Sequence, residues 1–96
     1  AHMASPLGKA FARIHENHAY LEVISRFATR DSQPEGALTP ETQKKVRSIG
    51  SHAIKDKQYL EGLGGDCHEL SMLGETIGRV NALIALGVVT EPGTTN

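Results

Sequence analysis

The sequence predicts an all-α fold, a small three-helix antiparallel bundle that is completed by homodimerisation. Apolar residues recur at spacings of three and four in three segments, which are separated by stretches rich in Pro and Gly. The segment from Asp66 to Gly87 carries a stripe of large apolar residues beside a stripe of small ones. The 96 residues include only two Phe, two Tyr and no Trp. Such a thin core favours stabilisation by a second copy of the chain.

We expect one domain at residues 6–89, with a short segment outside the fold at each side. Residues 1–5 resemble a cloning scar left by removal of a tag. Residues 90–96 contain Pro and Gly but no large apolar side chain, and we expect this tail to be flexible. The remaining folding unit of roughly 80 residues is close to the smallest size that sustains its own core.

The first predicted helix begins at Ser5 and Pro6 and extends to about Thr29. Serine is a favoured N-cap, and proline is well tolerated at the first helical position. A loop is predicted over residues 30–38 because Asp, Ser, Pro and Gly are concentrated there. The main apolar stripe of this helix consists of Leu7, Phe11, Ile14, His18 and Leu21.

The second predicted helix follows Thr39 as its cap, has Pro40 and Glu41 in its first turn, and extends to about Glu61. An acidic residue in the first turn complements the positive end of the helix dipole. Gly50 lies in the interior of this helix and weakens the prediction locally. Asp56 and Lys57 interrupt the apolar stripe of this helix. The stripe consists of Val46, Ile49, Ala53 and Leu60.

The third predicted helix extends from Asp66, paired with Glu69 in a capping box, to Gly87 as its left-handed terminator. Glycine in a helix interior costs about 0.5–1 kcal/mol relative to alanine. Gly74 and Gly78 therefore indicate close packing against another helix, within the chain or between copies. The large residues are Leu70, Leu73, Ile77, Val80 and Ile84, and the small residues are Ser71, Gly74, Gly78, Ala82 and Ala85.

These features predict a small non-enzymatic protein-interaction or regulatory module that acts as a homodimer and binds a partner protein. Met72 and Leu83 lie on the otherwise polar side of the third helix, where they either meet a partner or are buried against the second helix. We find no paired carboxylates in an apolar setting, as acid–base catalysis would need. The predicted interface residues are Gly74, Gly78, Met72, Leu83 and Ile77.

The net charge of −1 and the pI of about 6.6 argue against nucleic acid as a partner. A helix-turn-helix in the second and third helices is an alternative, although the apolar third helix is poorly suited to DNA recognition. No apolar run approaches the roughly 18 residues of a membrane span, so no membrane partner is expected. The single Cys67 favours a cytoplasmic location, and no cofactor is expected.

The segment from Ser51 to Lys55 resembles the phosphoacceptor segment of histidine phosphotransfer domains. In that family an exposed His on a helical bundle accepts a phosphoryl group, and a Lys three residues later neutralises its charge. The resemblance implies that His52 is the acceptor and Lys55 the neutralising residue in a signalling domain. Asp56 stands where the family usually has Gly, and the family has a four-helix bundle. Phosphotransfer at His52 is the alternative function.

Two further patterns of metal-binding or reactive side chains have functional and structural interpretations. His15, His18 and Glu22 share one side of the first helix, and His and carboxylate side chains at this spacing offer three metal ligands. Alternatively, they are ordinary core-edge and surface residues. Cys67 at a helix start is either a thiolate favoured by the helix dipole or a small, partly buried residue. The adjacent Asp66 disfavours the thiolate.

Overall fold

The computed structural model describes residues 5–31 and 38–90, with side chains for residues 5–28 and 38–90. Within these ranges the chain forms α1 (Pro6–Asp31), α2 (Pro40–Gly62) and α3 (His68–Ala85), and no strand. The all-α prediction is confirmed. Side-chain contacts from Arg13 to Asp56 and from Tyr20 to Lys45 show that α2 runs antiparallel to α1.

The starts of α1 and α2 agree with the predicted caps. The hydroxyl of Ser5 accepts a hydrogen bond from the backbone N–H of Gly8 at 3.0 Å. The hydroxyl of Thr39 accepts one from the N–H of Thr42 at 3.1 Å, and Pro40 opens the helix. Each side chain satisfies one of the free N–H groups that every helix start leaves.

The predicted start of α3 is wrong by two residues. Its N-cap is Cys67, whose side chain makes no capping hydrogen bond, so Asp66 and Glu69 do not form a capping box. Glu69 lies in the first turn and accepts a hydrogen bond from His15 on α1 instead. The spacing of Asp66 and Glu69 fits a capping box, but the carboxylate of Glu69 has its partner on α1.

Gly87 ends α3 in the left-handed region, with φ of 81°, as the sequence predicted. The chain then turns back, and the N–H groups of Val88 and Val89 both donate to the carbonyl of Leu83. Both valine side chains are buried. Gln43 on α2 accepts a hydrogen bond at 3.1 Å from the N–H of Thr90, the first residue of the predicted tail.

The helix α3 packs against both other helices, whereas α1 and α2 touch each other least. The apolar core therefore follows α3 from end to end. One cluster surrounds the start of α3 and consists of Ile14, Ala53, Leu60, Met72 and Leu73. The other surrounds its end and consists of Leu21, Ala28, Val46, Ile49, Val80, Leu83, Val88 and Val89.

The position of α3 corrects the interface prediction for Met72 and Leu83. Both side chains are buried within the chain, so neither lies on its surface. Because α3 packs against two helices, its buried side is wider than a single stripe and includes these residues. Ile77, another predicted interface residue, is half-buried at the edge of the core.

Several predictions fall outside the described residues. Of the predicted scar only Ser5 is described, and of the predicted tail only Thr90. Of the predicted loop, residues 32–37 lie outside the described ranges. None of the helices in residues 5–31 and 38–90 combines the length and apolar character that crossing a bilayer requires.

Candidate functional site

The side of α3 that faces away from the other helices is formed by the small residues. We call this surface the small-residue face, and all five of its members are exposed. A Cβ atom added to Gly74 or Gly78 meets no heavy atom of the described chain within 4 Å, apart from the helix's own backbone. Neither glycine is therefore needed for packing within the chain. The face consists of Ser71, Gly74, Gly78, Ala82 and Ala85.

Gly50 on α2 is the glycine that allows two helices of the chain to approach closely. A Cβ atom added to Gly50 would lie 3.0 Å from Cγ1 of Val80 on α3, which is tighter than ordinary contact. The sequence predicts close packing at Gly74 and Gly78, whereas the structure shows it at Gly50. The available signal was the position of Gly50 directly beside the apolar residue Ile49 in an otherwise polar helix.

A groove between α2 and α3 adjoins the small-residue face. We call it the α2–α3 groove; its volume is about 300 Å³. Ile77 and Asn81 line it and lie one helical turn from Gly74 and Gly78, so the groove and the small-residue face form one continuous surface. Apolar side chains provide much of the lining, which comprises Gly50, Ile54, Ile77, Val80 and Ile84, with Arg47, Ser51 and Asn81.

His15 and His18 connect α1 to α3 through two carboxylates. Nε2 of His15 lies 2.8 Å from Oε2 of Glu69, and Nε2 of His18 lies 2.7 Å from Oε1 of Glu75. These hydrogen bonds lower the pKa of Glu69 and of Glu75 from their ordinary value of 4.5, because they favour the ionised carboxylate. The two histidines thus bind separate partners.

The structure does not bring the predicted metal ligands together. Glu22 accepts a hydrogen bond from Arg26 at 2.8 Å, while His15 and His18 contact different residues of α3. Within residues 5–31 and 38–90, no group of three or more His, Cys, Asp or Glu residues is arranged to hold a metal ion. Cys67 is half-buried and packs against the core cluster at the start of α3.

His52 is exposed on α2, and its ring is oriented by the preceding turn of the helix. Nδ1 lies 2.9 Å from the carbonyl oxygen of Ser48. The hydroxyl of Ser48 lies 3.4 Å from the same nitrogen. In the tautomer that donates from Nδ1 to the carbonyl, the lone pair of the ring is on Nε2. Lys55 is also exposed. Asp56 is buried and accepts two hydrogen bonds from Arg13, at 2.9 and 2.6 Å.

A second groove separates α1 from α2, with a volume of about 420 Å³. We call it the α1–α2 groove. This groove is not predicted from the sequence, because Arg13 on α1 and the two lysines on α2 are far apart along the chain. The spacing of Lys44, Ser48 and His52, four residues apart on one side of α2, was the signal that was available. Its lining is Arg13, Asn17, Glu41, Lys44, Lys45, Ser48, Ile49 and His52.

No protein-family model, curated protein or solved structure matches the chain.

Proposed function

We propose that the chain is a small non-enzymatic protein-interaction module that acts as a homodimer through the small-residue face of α3. The observation that carries the proposal is the exposure of Gly74 and Gly78 in the interior of a helix. Each costs about 0.5–1 kcal/mol of helix stability relative to alanine, with no compensating contact among the described residues. A second helix packed closely against this face supplies that compensation.

An antiparallel pairing of the two α3 helices fits this face best. With the two-fold axis at Gly78, Gly74 of one copy faces Ala82 of the other, and Ser71 faces Ala85. A parallel pairing would place Glu75 beside its own counterpart and align the two helix dipoles, and both effects are repulsive. The antiparallel arrangement places Glu75 opposite the uncharged Asn81 of the other copy and brings small residues together along the rest of the contact.

The α2–α3 groove extends this surface and supplies apolar area that a helix of small residues lacks. A stable interface buries roughly 800 Å² on each partner, more than one narrow helix face provides. Ile54 is 48% exposed, and Ile77 lies between the groove and the small-residue face. Covering both regions removes apolar side chains from water, which is the main driving force for association.

Sedimentation velocity on the parent and two variants tests the proposal. Gly78→Leu adds bulk to the small-residue face, whereas Ala19→Leu adds a similar side chain to an exposed position of α1. Since a Cβ atom at Gly78 meets open space, this variant should fold. We expect the parent and Ala19→Leu to sediment as dimers and Gly78→Leu as a folded monomer. Equal masses for the parent and Gly78→Leu would contradict the proposal.

Exposed apolar side chains on α1 support the binding of a partner protein by this dimer. Val23 and Phe27 are 62% and 58% exposed and lie one turn apart on α1. Large exposed apolar residues that are neighbours mark interaction surfaces more often than single ones do. The lone Cys67 supports a cytoplasmic location for the module.

The geometry of His52 favours phosphotransfer as a second candidate function. The lone pair on Nε2 is available to attack phosphorus, because Nδ1 is engaged by the carbonyl of Ser48. Asp56, which the resemblance placed beside the site, is buried and neutralised by Arg13. The three described helices differ from the four-helix bundle of the family.

Acid-labile phosphate on the chain, after incubation with a phosphorylated receiver domain, tests this second candidate. Phosphotransfer predicts a label that is lost in His52→Gln and kept in His68→Gln, which changes another exposed histidine. An unlabelled parent chain, or equal labelling of both variants, would exclude His52 as the acceptor.

A further inference from the structure

The α1–α2 groove concentrates positive charge in a chain whose net charge is −1. Arg13 on one wall and Lys44 and Lys45 on the other contribute three cations. Two carboxylates oppose them, that of Glu41 in the lining and that of Asp56, which is paired with Arg13, so one positive charge remains in excess. Cations on two facing helices make the electrostatic potential between the helices more positive than the potential near an isolated surface lysine. The groove thus attracts small anions.

Two of these cations are held in place by contacts at the groove. The two hydrogen bonds from Arg13 to Asp56 fix the guanidinium but use only Nε and Nη2, so other N–H donors of Arg13 remain. The ammonium group of Lys45 lies 4.7 Å from the centre of the Tyr20 ring, which positions it beside α1. Both groups are therefore oriented before any ligand arrives, which lowers the entropic cost of binding.

Uncharged donors and an apolar residue complete the lining. Asn17 and Ser48 contribute an amide and a hydroxyl, which add hydrogen bonds of defined direction. Ile49 provides an apolar contact. Donors on two walls suit the three oxygens of a tetrahedral phosphoryl group better than a planar carboxylate.

We propose that the α1–α2 groove binds a small phosphate ester or diphosphate, with its phosphoryl group held by Lys44, Lys45 and Arg13. The volume of about 420 Å³ exceeds that of a single phosphate ion and falls in the range of small-molecule pockets. No residue of α3 lines the groove, so this proposal is independent of the homodimer.

An NMR titration of the ¹⁵N-labelled chain with inorganic pyrophosphate tests the proposal, at an ionic strength held constant with sodium chloride. We expect saturable shifts at the backbone amides of Arg13, Asn17 and residues 44–52, with a millimolar Kd. A second titration with citrate, also a multiply charged anion, distinguishes a phosphoryl site from general attraction of charge. Citrate should bind more weakly at the same amides.

Matched lysine variants provide the control. Lys44→Gln should weaken pyrophosphate binding about two- to fivefold, the range expected for loss of one exposed charge contact. Lys9→Gln removes the same charge from an exposed position of α1 outside the groove and should leave the Kd unchanged. Equal weakening by the two variants, equal binding of citrate, or shifts that do not saturate would overturn the proposal.

Discussion

The glycines in the interiors of α2 and α3 have opposite surroundings. At Gly50 the space for a side chain is already occupied, because Cγ1 of Val80 lies 3.0 Å from where a Cβ atom would be. At Gly74 and Gly78 the same atom would meet open space. The first glycine is explained by packing within the chain, whereas the other two have no such explanation and carry the homodimer proposal.

The atoms that face a helical glycine therefore decide whether packing within the chain explains its presence. All three positions carry the same intrinsic helix penalty. Only at Gly50 does the fold of one chain compensate for it, through the close approach of α2 and α3. Substitutions at buried positions should therefore change the free energy of unfolding more than similar substitutions at exposed positions do.

The largest effect is expected from introducing leucine at the two kinds of glycine. Gly50→Leu should lower the free energy of unfolding by about 2–3 kcal/mol, because overpacking forces α2 and α3 apart. Gly78→Leu should not lower the stability of the monomer, because there is space for the side chain and leucine is a better helix former. Urea unfolding followed by circular dichroism, at concentrations where the chain is monomeric, measures both. Similar losses of unfolding free energy in the two variants would show that Gly50 and Gly78 do not differ in their surroundings.

Arginine–carboxylate pairs give a second contrast between inner and outer sites. Arg13→Ala should cost about 2 kcal/mol, because it leaves the carboxylate of Asp56 buried without a partner; the 39% exposure of Arg13 keeps the loss below that of a fully buried pair. Glu22→Ala breaks the exposed pair with Arg26 and should cost no more than about 0.5 kcal/mol. Thermal unfolding of both variants measures the two losses of stability. Equal losses would show that the burial of Asp56 does not increase the cost of breaking its pair.

The inner side of α3 contains a polar atom whose removal should stabilise the chain. Oγ1 of Thr76 is buried and has no hydrogen-bond partner among the described residues. Thr76→Val keeps the shape and removes the unsatisfied hydroxyl, so we expect a gain of about 1 kcal/mol. The matched change on the outer side, Ser71→Val, should be close to neutral. A loss in Thr76→Val, measured by urea unfolding, would indicate that the hydroxyl has a partner.

Acid should weaken the attachment of α1 to α3 in a way that depends on Glu69 and Glu75. Their pKa values are lower in the folded chain than the ordinary 4.5. The two carboxylates therefore contribute fully to the free energy of unfolding above pH 4.5, and this contribution is lost as the pH falls through their pKa values in the folded chain. The double variant Glu69→Gln/Glu75→Gln should show a flatter decline of Tm below pH 5. Parallel profiles for the parent and the variant would show that the histidine contacts do not stabilise the fold.

Local signals predicted the helices well, and long-range contacts explain the misses. The Thr39 cap and the glycine at the end of α3 depend on neighbours in sequence, and both were predicted. The capping box predicted for α3 does not form, and Glu69 instead accepts a hydrogen bond from His15, which is 54 positions away. No local pattern contains that contact.

The surfaces of the molecule were predicted less completely than its helices. Met72 and Leu83 were placed on the polar side because a single stripe was assumed, whereas α3 is covered by two helices. The α1–α2 groove combines Arg13 with residues of α2, so its charge appears only when the two helices are brought together. The small-residue face was visible in the sequence, because it depends only on the helical repeat.

The most direct test of the central claim is the mass of the parent chain in solution, measured by light scattering across a dilution series. The homodimer proposal predicts a mass of twice the 10.3 kDa of one chain at high concentration, falling towards that of the monomer on dilution. Gly78→Leu should stay monomeric throughout the same series. A parent chain that is folded and monomeric at every concentration would contradict the assignment of Gly74 and Gly78 to a contact between copies.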